Sequence, residues 1–411
     1  VMNISSGFAI LMLWVIGGIL ALCGAFVYGE IGSAFPESGG EYNYLSKLYH
    51  PAIGFLSGWV SVTVGFAAPI AAASVALSQY VIKIYPAVNG FLLSSLVIVS
   101  ITIIHSTNLK AGSLFQRTFT IIKVVCILMF VGFGLFHTPS HAISFAAAEG
   151  FRTEVFSAAF AGSLIYVTYA YSGWNAAAYI SGEIKDARKN LPRALFIGTF
   201  IVLIIYTLLN YVFLYTVPIA ELKGVIEVGY LSADKIFEPG AARFMSLVIA
   251  VLLISTISAM VLAGPRVMQR MGATIPGLSF FAVSNKNNIP YVSIIFQSFL
   301  ALILVATSSF QSLITYVSFT LNIFIFLTVF GVFILRYKHK HVKTSYKTPL
   351  YPVTPILFLS ITLWILYNIV LDKPVESLYG LLTVAAGLLI YFLTNKKDNK
   401  KNNSIPAQAA E

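Results

Sequence analysis

Eleven long apolar runs dominate the chain, and each is long enough to cross the roughly 30 Å hydrocarbon core of a bilayer as a helix. We label them spans A to K; in chain order they cover about 8–33, 51–82, 90–107, 118–136, 155–181, 194–217, 243–265, 291–308, 311–335, 353–371 and 376–394. Only 10% of the residues are charged, whereas a water-soluble surface needs about a quarter. The runs do not alternate with a period of two, which excludes a membrane β-barrel. The sequence therefore predicts an all-α integral membrane protein.

The basic residues are distributed unequally between alternate loops. Of the 26 Lys and Arg residues, 19 fall in one set of loops together with the C-terminal tail and 6 fall in the other set. Because Lys and Arg concentrate on the cytoplasmic side of a membrane, the first set is predicted to be cytoplasmic. The polar tail 395–411 is then a cytoplasmic segment and is expected to be disordered. We expect a multi-pass protein of the cell membrane, of the bacterial inner-membrane type.

Eleven crossings from a cytoplasmic C-terminus put residue 1 outside the cell. The first seven residues look like the outer end of a helix that has already begun. We therefore expect a further, N-terminal span to precede them. The alternative is a protein with an external N-terminus and eleven spans.

Span E has a polar interruption near its centre, where residues 169–175 read Tyr-Ala-Tyr-Ser-Gly-Trp-Asn. Gly and Ser lower helix propensity and Asn competes for backbone hydrogen bonds. Irregular backbone at membrane depth is tolerated only beside a cavity. A broken helix would offer N–H groups to a carboxylate and carbonyls to an ammonium, which suits a zwitterion. A helix-packing face of small residues is the alternative.

Lys123 is the only charged residue well inside a span. A charge at that depth costs at least about 2.5 kcal/mol, so it normally faces a cavity or a partner. Lys123 is therefore either a coupling site or a side chain that extends along span D to the cytoplasmic headgroups. No carboxylate lies at mid-span, because Glu30 and Glu183 are at the ends of spans A and E. An acidic proton relay or a carboxylate-ringed pore is not predicted.

Other chemistry is poorly represented in the sequence. Cys23 and Cys126 lie in apolar runs and cannot form a disulfide framework or a CxxC metal site, and the six histidines lack metal-ligand spacing. Gly39 and Gly40 are predicted to form a turn that opens a short amphipathic stretch, without the Lys-Ser/Thr of a nucleotide loop. The basic loop 336–347 is expected to contact anionic lipid, not nucleic acid. We expect no cofactor, no metal and no enzyme active site.

Four separated motifs resemble those of one transporter family, the amino acid–polyamine–organocation (APC) family. They are Phe-Pro-Glu-Ser-Gly-Gly-Glu-Tyr at 35–42, Tyr-Ser-Gly-Trp-Asn at 171–175, Gly-Glu-Ile-Lys-Asp at 182–186 with Lys-Asn-Leu-Pro-Arg-Ala at 189–194, and Tyr-Lys-Thr-Pro-Leu-Tyr-Pro at 346–352. Their order and spacing also match. In particular the chain resembles bacterial amino-acid permeases related to the light chains of heteromeric amino-acid transporters.

The resemblance implies a LeuT-type fold of twelve helices, built from two inverted five-helix repeats and two accessory helices. Residues 1–394 would form a single transmembrane domain. Residues 8–136 would be the remainder of the first repeat, 155–335 the second repeat and 353–394 the accessory pair. Helix one of the family, which carries a glycine-rich break, has no match in residues 1–7.

The resemblance also implies a substrate site in span E. Backbone carbonyls of Tyr169, Ala170 and Ser172 look like ligands for a substrate ammonium, and Tyr169 occupies the position of the family's aromatic gate. Gly173 would permit close backbone approach. Trp174 and Asn175 would open the second half-helix, although Asn175 could serve helix packing instead. In span G, the resemblance puts Ser255 and Ser258 near the side-chain pocket.

Lys123 matches a lysine found in many sodium-independent relatives, where its ammonium would replace a sodium ion. Loop 83–89 contains no cysteine, whereas light chains of the heteromeric type carry one there, so no disulfide-linked heavy subunit is expected.

We therefore expect a secondary active, sodium-independent transporter of zwitterionic amino acids that uses alternating access. It would be either a proton symporter or an exchanger with a second amino acid as counter-substrate. The alternative is a membrane amino-acid sensor on the same fold that does not transport.

Overall fold

The computed structural model describes residues 4, 6–107, 109–138, 154–237 and 239–402. Helices occupy most of this part of the chain. They are α1 (Gly7–Ala34), α2 (Glu41–Leu48), α3 (Pro51–Ile82), α4 (Gly90–Thr107), α5 (Leu109–Phe136), α6 (Ala158–Ala170), α7 (Ala176–Tyr179), α8 (Ala187–Thr216), α9 (Ile219–Leu222), α10 (Val228–Ile236), α11 (Pro239–Thr274), α12 (Tyr291–Thr307), α13 (Phe310–Lys338), α14 (Val353–Asp372) and α15 (Pro374–Asn402). The predicted all-α fold class is confirmed.

The helices coincide with the predicted spans. Within the described residues, nine are long and apolar enough to cross a membrane, and spans E and H correspond to two shorter apolar helices, Ala159–Ala170 and Tyr291–Thr307. Helix α8 begins at Ala187, seven residues before the predicted start of span F, and includes Pro192 in its second turn. Helix α11 continues past Pro265 to Thr274. Both differences arise because hydropathy marks only the apolar part of a helix.

The predicted tail begins at residue 395, and α15 ends at Asn402; disorder and a cytoplasmic position of the tail stay predictions. Residues 403–411 lie outside the described part of the chain.

The turn at Gly39 and Gly40 is hydrogen-bonded to α7, the second helical part of span E. Both residues have positive φ angles, +118° and +53°, which glycine adopts without steric cost. Their N–H groups donate to the carbonyls of Tyr179 and Ala178, at 3.1 and 3.3 Å. The predicted turn is confirmed, and α2 follows it directly. The loop between α1 and α2 is thereby tied to α7.

A buried ion pair joins α1 to α13 and to the segment before α14. Glu30 is 2% exposed and accepts hydrogen bonds from Nε and Nη2 of Arg336, both at 2.8 Å, and from the backbone N–H of Thr348 at 2.7 Å. The guanidinium also lies 3.7 Å from the ring centroid of Tyr351. Burial and the charge of Glu30 raise the pKa of Tyr346, beside this pair, to about 12. That phenol therefore stays neutral at physiological pH.

Glycines on α1 allow it to pack directly on the interrupted span. A Cβ on Gly24 would lie 2.7 Å from two ring carbons of Trp174, and a Cβ on Gly17 would lie 2.6 Å from Val167. Small residues at such positions let membrane helices approach closely. The position of Trp174 therefore depends on the absence of a side chain at Gly24.

Gly24→Ala should destabilise the protein by about 1–3 kcal/mol, because overpacking forces Trp174 or α1 to shift. Gly198→Ala is the matched control, since a Cβ there meets nothing within 4 Å in the described part of the chain. The measurement is the midpoint of thermal unfolding in detergent. Equal midpoints for the two variants would contradict the packing role of Gly24.

Candidate functional site

The predicted interruption of span E is present. Helix α6 ends at Ala170 and α7 begins at Ala176, and between them Gly173 has a φ of +93°. A Cβ built on Gly173 meets no atom of the described residues within 4 Å. Glycine is therefore favoured here by the positive φ of the backbone, and not by a lack of space for a side chain. We call residues 171–175 the broken segment.

Backbone groups in and beside the broken segment lack partners. Within the described part of the chain, the N–H groups of Gly173, Trp174 and Asn175 make no hydrogen bond, and the carbonyls of Ala170, Tyr171 and Ser172 accept none. Unpaired backbone donors and acceptors of this kind are costly at membrane depth unless a cavity or a ligand satisfies them. The segment can therefore offer donors to an anionic group and acceptors to a cationic group.

A cavity of about 130 Å³ adjoins the broken segment. A cavity needs about 10–15 Å³ by this measure to hold one water, so this one has room for a small solute. It is lined by Gly17, Leu20, Ala21, Glu41, Ser57, Ser61, Gly65, Phe66, Pro69, Thr168, Tyr169, Tyr171, Ser172, Gly173, Trp174, Asn175, Ala176, Tyr179, Ala259, Met260, Ala263, Val317, Ser318, Leu321, Asn322, Phe324, Ile325 and Phe358.

The wall from α3 is locally irregular. Residues Ser61–Phe66 form a π-helical turn within α3, and Ser61, Gly65 and Phe66 from this turn line the cavity. Single π turns inside α-helices are frequent at functional sites because they redirect side chains. The π-helical turn of span B and the broken segment of span E therefore line the same cavity.

Unpartnered polar atoms occur among the lining residues. Glu41 Oε2, Ser57 Oγ and Ser318 Oγ are buried and make no hydrogen bond in the described chain. Each such atom is destabilising unless a partner is supplied. The wall thus combines apolar surface with a few polar groups, which is typical of a binding site for a small ligand.

Most of the predicted site residues meet at this cavity. Tyr169, Ser172, Gly173, Trp174 and Asn175 line it. Ala170 does not, although its carbonyl accepts no hydrogen bond from the described residues. The indole of Trp174 packs edge-to-face on the ring of Tyr28, with centroids 4.7 Å apart. Asn175 is 7% exposed and its Nδ2 donates to Glu41 Oε1 at 2.6 Å.

Ser255 and Ser258, which were expected near the side-chain pocket, are not among the residues that line the cavity. Ser258 Oγ is 2.8 Å from Nε2 of His105, and Ser255 Oγ is buried without a partner in the described chain. Ala259, Met260 and Ala263 of the same helix line the cavity instead. One residue turns a helix by about 100°, so Ser258 faces α4 when Ala259 faces the cavity.

The ammonium of Lys123 contacts a neighbouring helix and not the cavity. Its Nζ donates to Thr256 Oγ1 at 2.9 Å, and Thr256 lies in the middle of α11. Of the two orientations predicted for this side chain, the contact supports the one that faces a partner inside the bundle.

Sequence reasoning missed Glu41. The hydropathy pattern puts it in a loop between spans, whereas the structure buries it at 2% exposure in the cavity wall. The expectation that no carboxylate lies at mid-span did not consider this residue, which reaches the cavity from the short helix α2 between spans A and B. Its position directly after the Gly39–Gly40 turn was the available signal, because that turn folds α2 back into the bundle.

Sequence comparison gives the affiliation of the chain. The family profile described as amino acid permease matches residues 2–394. The chain belongs to this family. The permease is 30% identical over 397 residues to b(0,+)-type amino acid transporter 1 of Mus musculus, covering 93% of this chain and 80% of that protein. It is also 30% identical over 393 residues to the serine/threonine exchanger SteT of Bacillus subtilis (strain 168), covering 94% and 89%.

The large neutral amino acids transporter small subunit 2 of Homo sapiens is 26% identical over 396 residues, covering 93% of the permease and 73% of that protein. These matches confirm the resemblance stated from the motifs, including the relation to light chains of heteromeric transporters. Membership of the APC superfamily carries the LeuT-type fold. The permease is therefore a multi-pass membrane protein of an amino-acid transporting family.

Proposed function

We propose that this permease is a sodium-independent secondary transporter of zwitterionic amino acids, and not an enzyme. It works by alternating access, as a proton symporter or as an exchanger. The observation that carries the proposal is the broken segment. It presents N–H groups and carbonyls that have no partner among the described residues, beside one small cavity.

The two sets of backbone groups match the two charged ends of an amino acid. Carbonyls of Ala170, Tyr171 and Ser172 can accept hydrogen bonds from a substrate ammonium, whereas the carbonyl of Tyr169, which the resemblance also implied, already accepts the N–H of Ser172 at 2.8 Å. N–H groups of Gly173, Trp174 and Asn175 can donate to a substrate carboxylate. Such bonds to charged groups are about twice as strong as bonds between neutral groups. Tyr169 lies directly before these groups and lines the cavity, which suits the role of an aromatic gate.

Lys123 is proposed as the coupling residue. Its ammonium bridges α5 to Thr256 of α11, so a fixed positive charge stands between two helices. If these helices move relative to one another during transport, protonation of Lys123 favours the state in which the bridge forms.

Lys123→Gln should reduce uptake severalfold or remove its pH dependence, because glutamine keeps a hydrogen-bonding side chain without the titratable charge. Lys338→Gln is the matched control, since Lys338 is exposed at the end of α13. The measurement is radiolabelled amino-acid uptake across external pH, in sodium and in choline. Sodium-stimulated uptake by the unmodified protein, or an unchanged rate and pH profile in Lys123→Gln, would refute the coupling role.

The proposed setting is the cell membrane, with lipid around the exposed apolar helices and the C-terminus in the cytoplasm. No disulfide-linked heavy subunit is proposed. In the described chain both Cys23 and Cys126 are free, and both lie within membrane-spanning helices. Accessibility of a cysteine introduced near Asn402 to an impermeant thiol reagent tests this orientation, and labelling from outside intact cells would contradict it.

Flux tests the proposed function. The protein, expressed from its full gene, is reconstituted into proteoliposomes and offered radiolabelled neutral amino acids. Uptake that needs internal amino acid identifies exchange, and uptake driven by a pH gradient identifies proton symport. Binding without uptake under either condition would refute transport and favour a sensor.

A further inference from the structure

A second groove, of about 380 Å³, lies at the end of the bundle that is predicted to face the cytoplasm. Arg188 of α8 and Ser345, from the segment between α13 and α14, both line it. The same two segments also meet at α1, where a Cβ on Gly29 would lie 3.1 Å from both Pro192 and Tyr346. The groove is therefore a junction between parts of the chain that are distant in sequence, and it is separate from the cavity beside the broken segment.

The charge around this groove is positive and is not balanced by the protein. The stretches 185–193 and 343–347 together contain six Lys or Arg residues and one acidic residue, Asp186. Arg188 and Lys189 line the groove and are exposed. Within the described chain, none of the six basic residues forms an ion pair. Such an excess of positive charge attracts anionic groups.

One face of α8 runs from the groove along the apolar part of the helix. Four exposed residues recur on it at intervals of four, three and four positions: Lys189, Arg193, Phe196 and Phe200. Residues at these intervals share one side of a helix. The rings of Phe196 and Phe200 stack with their centroids 5.9 Å apart, and Phe200 lies about 16 Å further along the axis than Lys189. The face therefore begins with positive charge and continues with aromatic surface.

We propose that the groove binds the headgroup of an anionic phospholipid, whose acyl chains lie along this face of α8. The phosphate accepts charge-assisted hydrogen bonds from Arg188 and Lys189. A zwitterionic lipid is bound less strongly, because its own ammonium cancels the attraction of its phosphate. A soluble phosphate compound has no chains to cover Phe196 and Phe200. This inference goes beyond the proposed function and does not depend on it.

The general excess of basic residues in cytoplasmic loops does not require such a site. That rule counts charges in loops and does not bring them together in one groove at the start of an exposed aromatic face. A lipid that binds across the junction of two segments binds the folded protein only, so it raises the temperature of unfolding. Thermal unfolding therefore reports the binding without any assay of transport.

The first test follows the unfolding midpoint of the full-length protein in detergent as lipid is added. Phosphatidylglycerol should raise the midpoint, and half of the rise should need about tenfold less of it than of phosphatidylcholine. Glycerol 3-phosphate, which lacks acyl chains, should have no effect at the same concentration. No rise with phosphatidylglycerol, or equal potency of the two lipids, overturns the inference. A rise with glycerol 3-phosphate as large as that with phosphatidylglycerol also overturns it, because the ligand is then a soluble anion.

The second test locates the site. Arg188→Gln should raise the amount of phosphatidylglycerol needed for half of the effect about fivefold, as expected for loss of one charge beside an anionic lipid. The midpoint without lipid should not change, since Arg188 is exposed and has no ion-pair partner in the described chain. Lys286→Gln is the matched control, because Lys286 is exposed in the loop between α11 and α12 and does not line the groove.

An unchanged requirement for phosphatidylglycerol in Arg188→Gln overturns the inference. Equal weakening in Arg188→Gln and Lys286→Gln also overturns it, because the effect is then general electrostatic attraction without a site. Should Arg188→Gln fail to fold, Lys343→Gln removes an exposed charge from the other segment and should weaken the effect of the lipid in the same direction. An unchanged requirement in that variant is likewise contrary to the inference.

Discussion

Gly173→Val should reduce amino-acid uptake at least tenfold and leave insertion into the membrane intact. The φ of Gly173 is +93°, a conformation in which β-branched residues are strained by about 1–3 kcal/mol. A Cβ there would meet none of the described atoms within 4 Å, so the strain falls on the backbone of the broken segment. Since the unpaired N–H and carbonyl groups belong to that backbone, a change in its conformation removes the proposed binding geometry.

Gly162→Val is the matched control for this prediction. Gly162 lies in α6 of the same span, and a Cβ there also meets no described atom within 4 Å, but its φ is helical. Uptake is compared between the variants at equal amounts of protein in the membrane. Unmodified uptake by Gly173→Val would show that the segment is a packing face, which is the alternative left open by the sequence.

Arg336→Met should lower the free energy of unfolding by about 3–5 kcal/mol, because it leaves Glu30 as an unpaired buried charge. Glu30 would lose both bonds from the guanidinium and keep only the one from the N–H of Thr348. The measurement is the thermal unfolding midpoint in detergent, where this variant should rank lowest.

Two further variants make this prediction specific. Arg270→Met removes a half-exposed ion pair with Glu37, and exposed pairs contribute only about 0–1 kcal/mol. The double variant Glu30→Gln/Arg336→Met should be more stable than Arg336→Met alone, because no charge is left buried. A double variant less stable than Arg336→Met would contradict the account of the ion pair.

The spans and the interruption were predictable from the sequence because both are local properties. Helices α3 and α4 have the bounds predicted for spans B and C, since continuous hydropathy alone determines them. The break before Ala176 was predictable because Ser, Gly and Asn occur together at mid-span, where a helix would otherwise continue.

The remaining features depend on how helices rotate and how loops fold back. Whether Ser258 or Ala259 faces the cavity depends on a rotation of about 100° about the axis of α11. The sequence does not predict that rotation, because the helix is apolar on all sides. Glu41 enters the cavity because the N–H groups of Gly39 and Gly40 bond to the carbonyls of α7. That contact joins residues more than 130 positions apart, and no local pattern reports it.

Competition by modified amino acids is the measurement that tests the central claim most directly, namely that the broken segment holds both charged ends of an amino acid. Uptake of a labelled neutral amino acid is challenged with the unlabelled amino acid, with its amide, which lacks the carboxylate, and with its N-acetyl form, which lacks the ammonium. The account predicts that each derivative inhibits at least tenfold less than the intact zwitterion. Inhibition by either derivative as strong as that by the intact amino acid would contradict it.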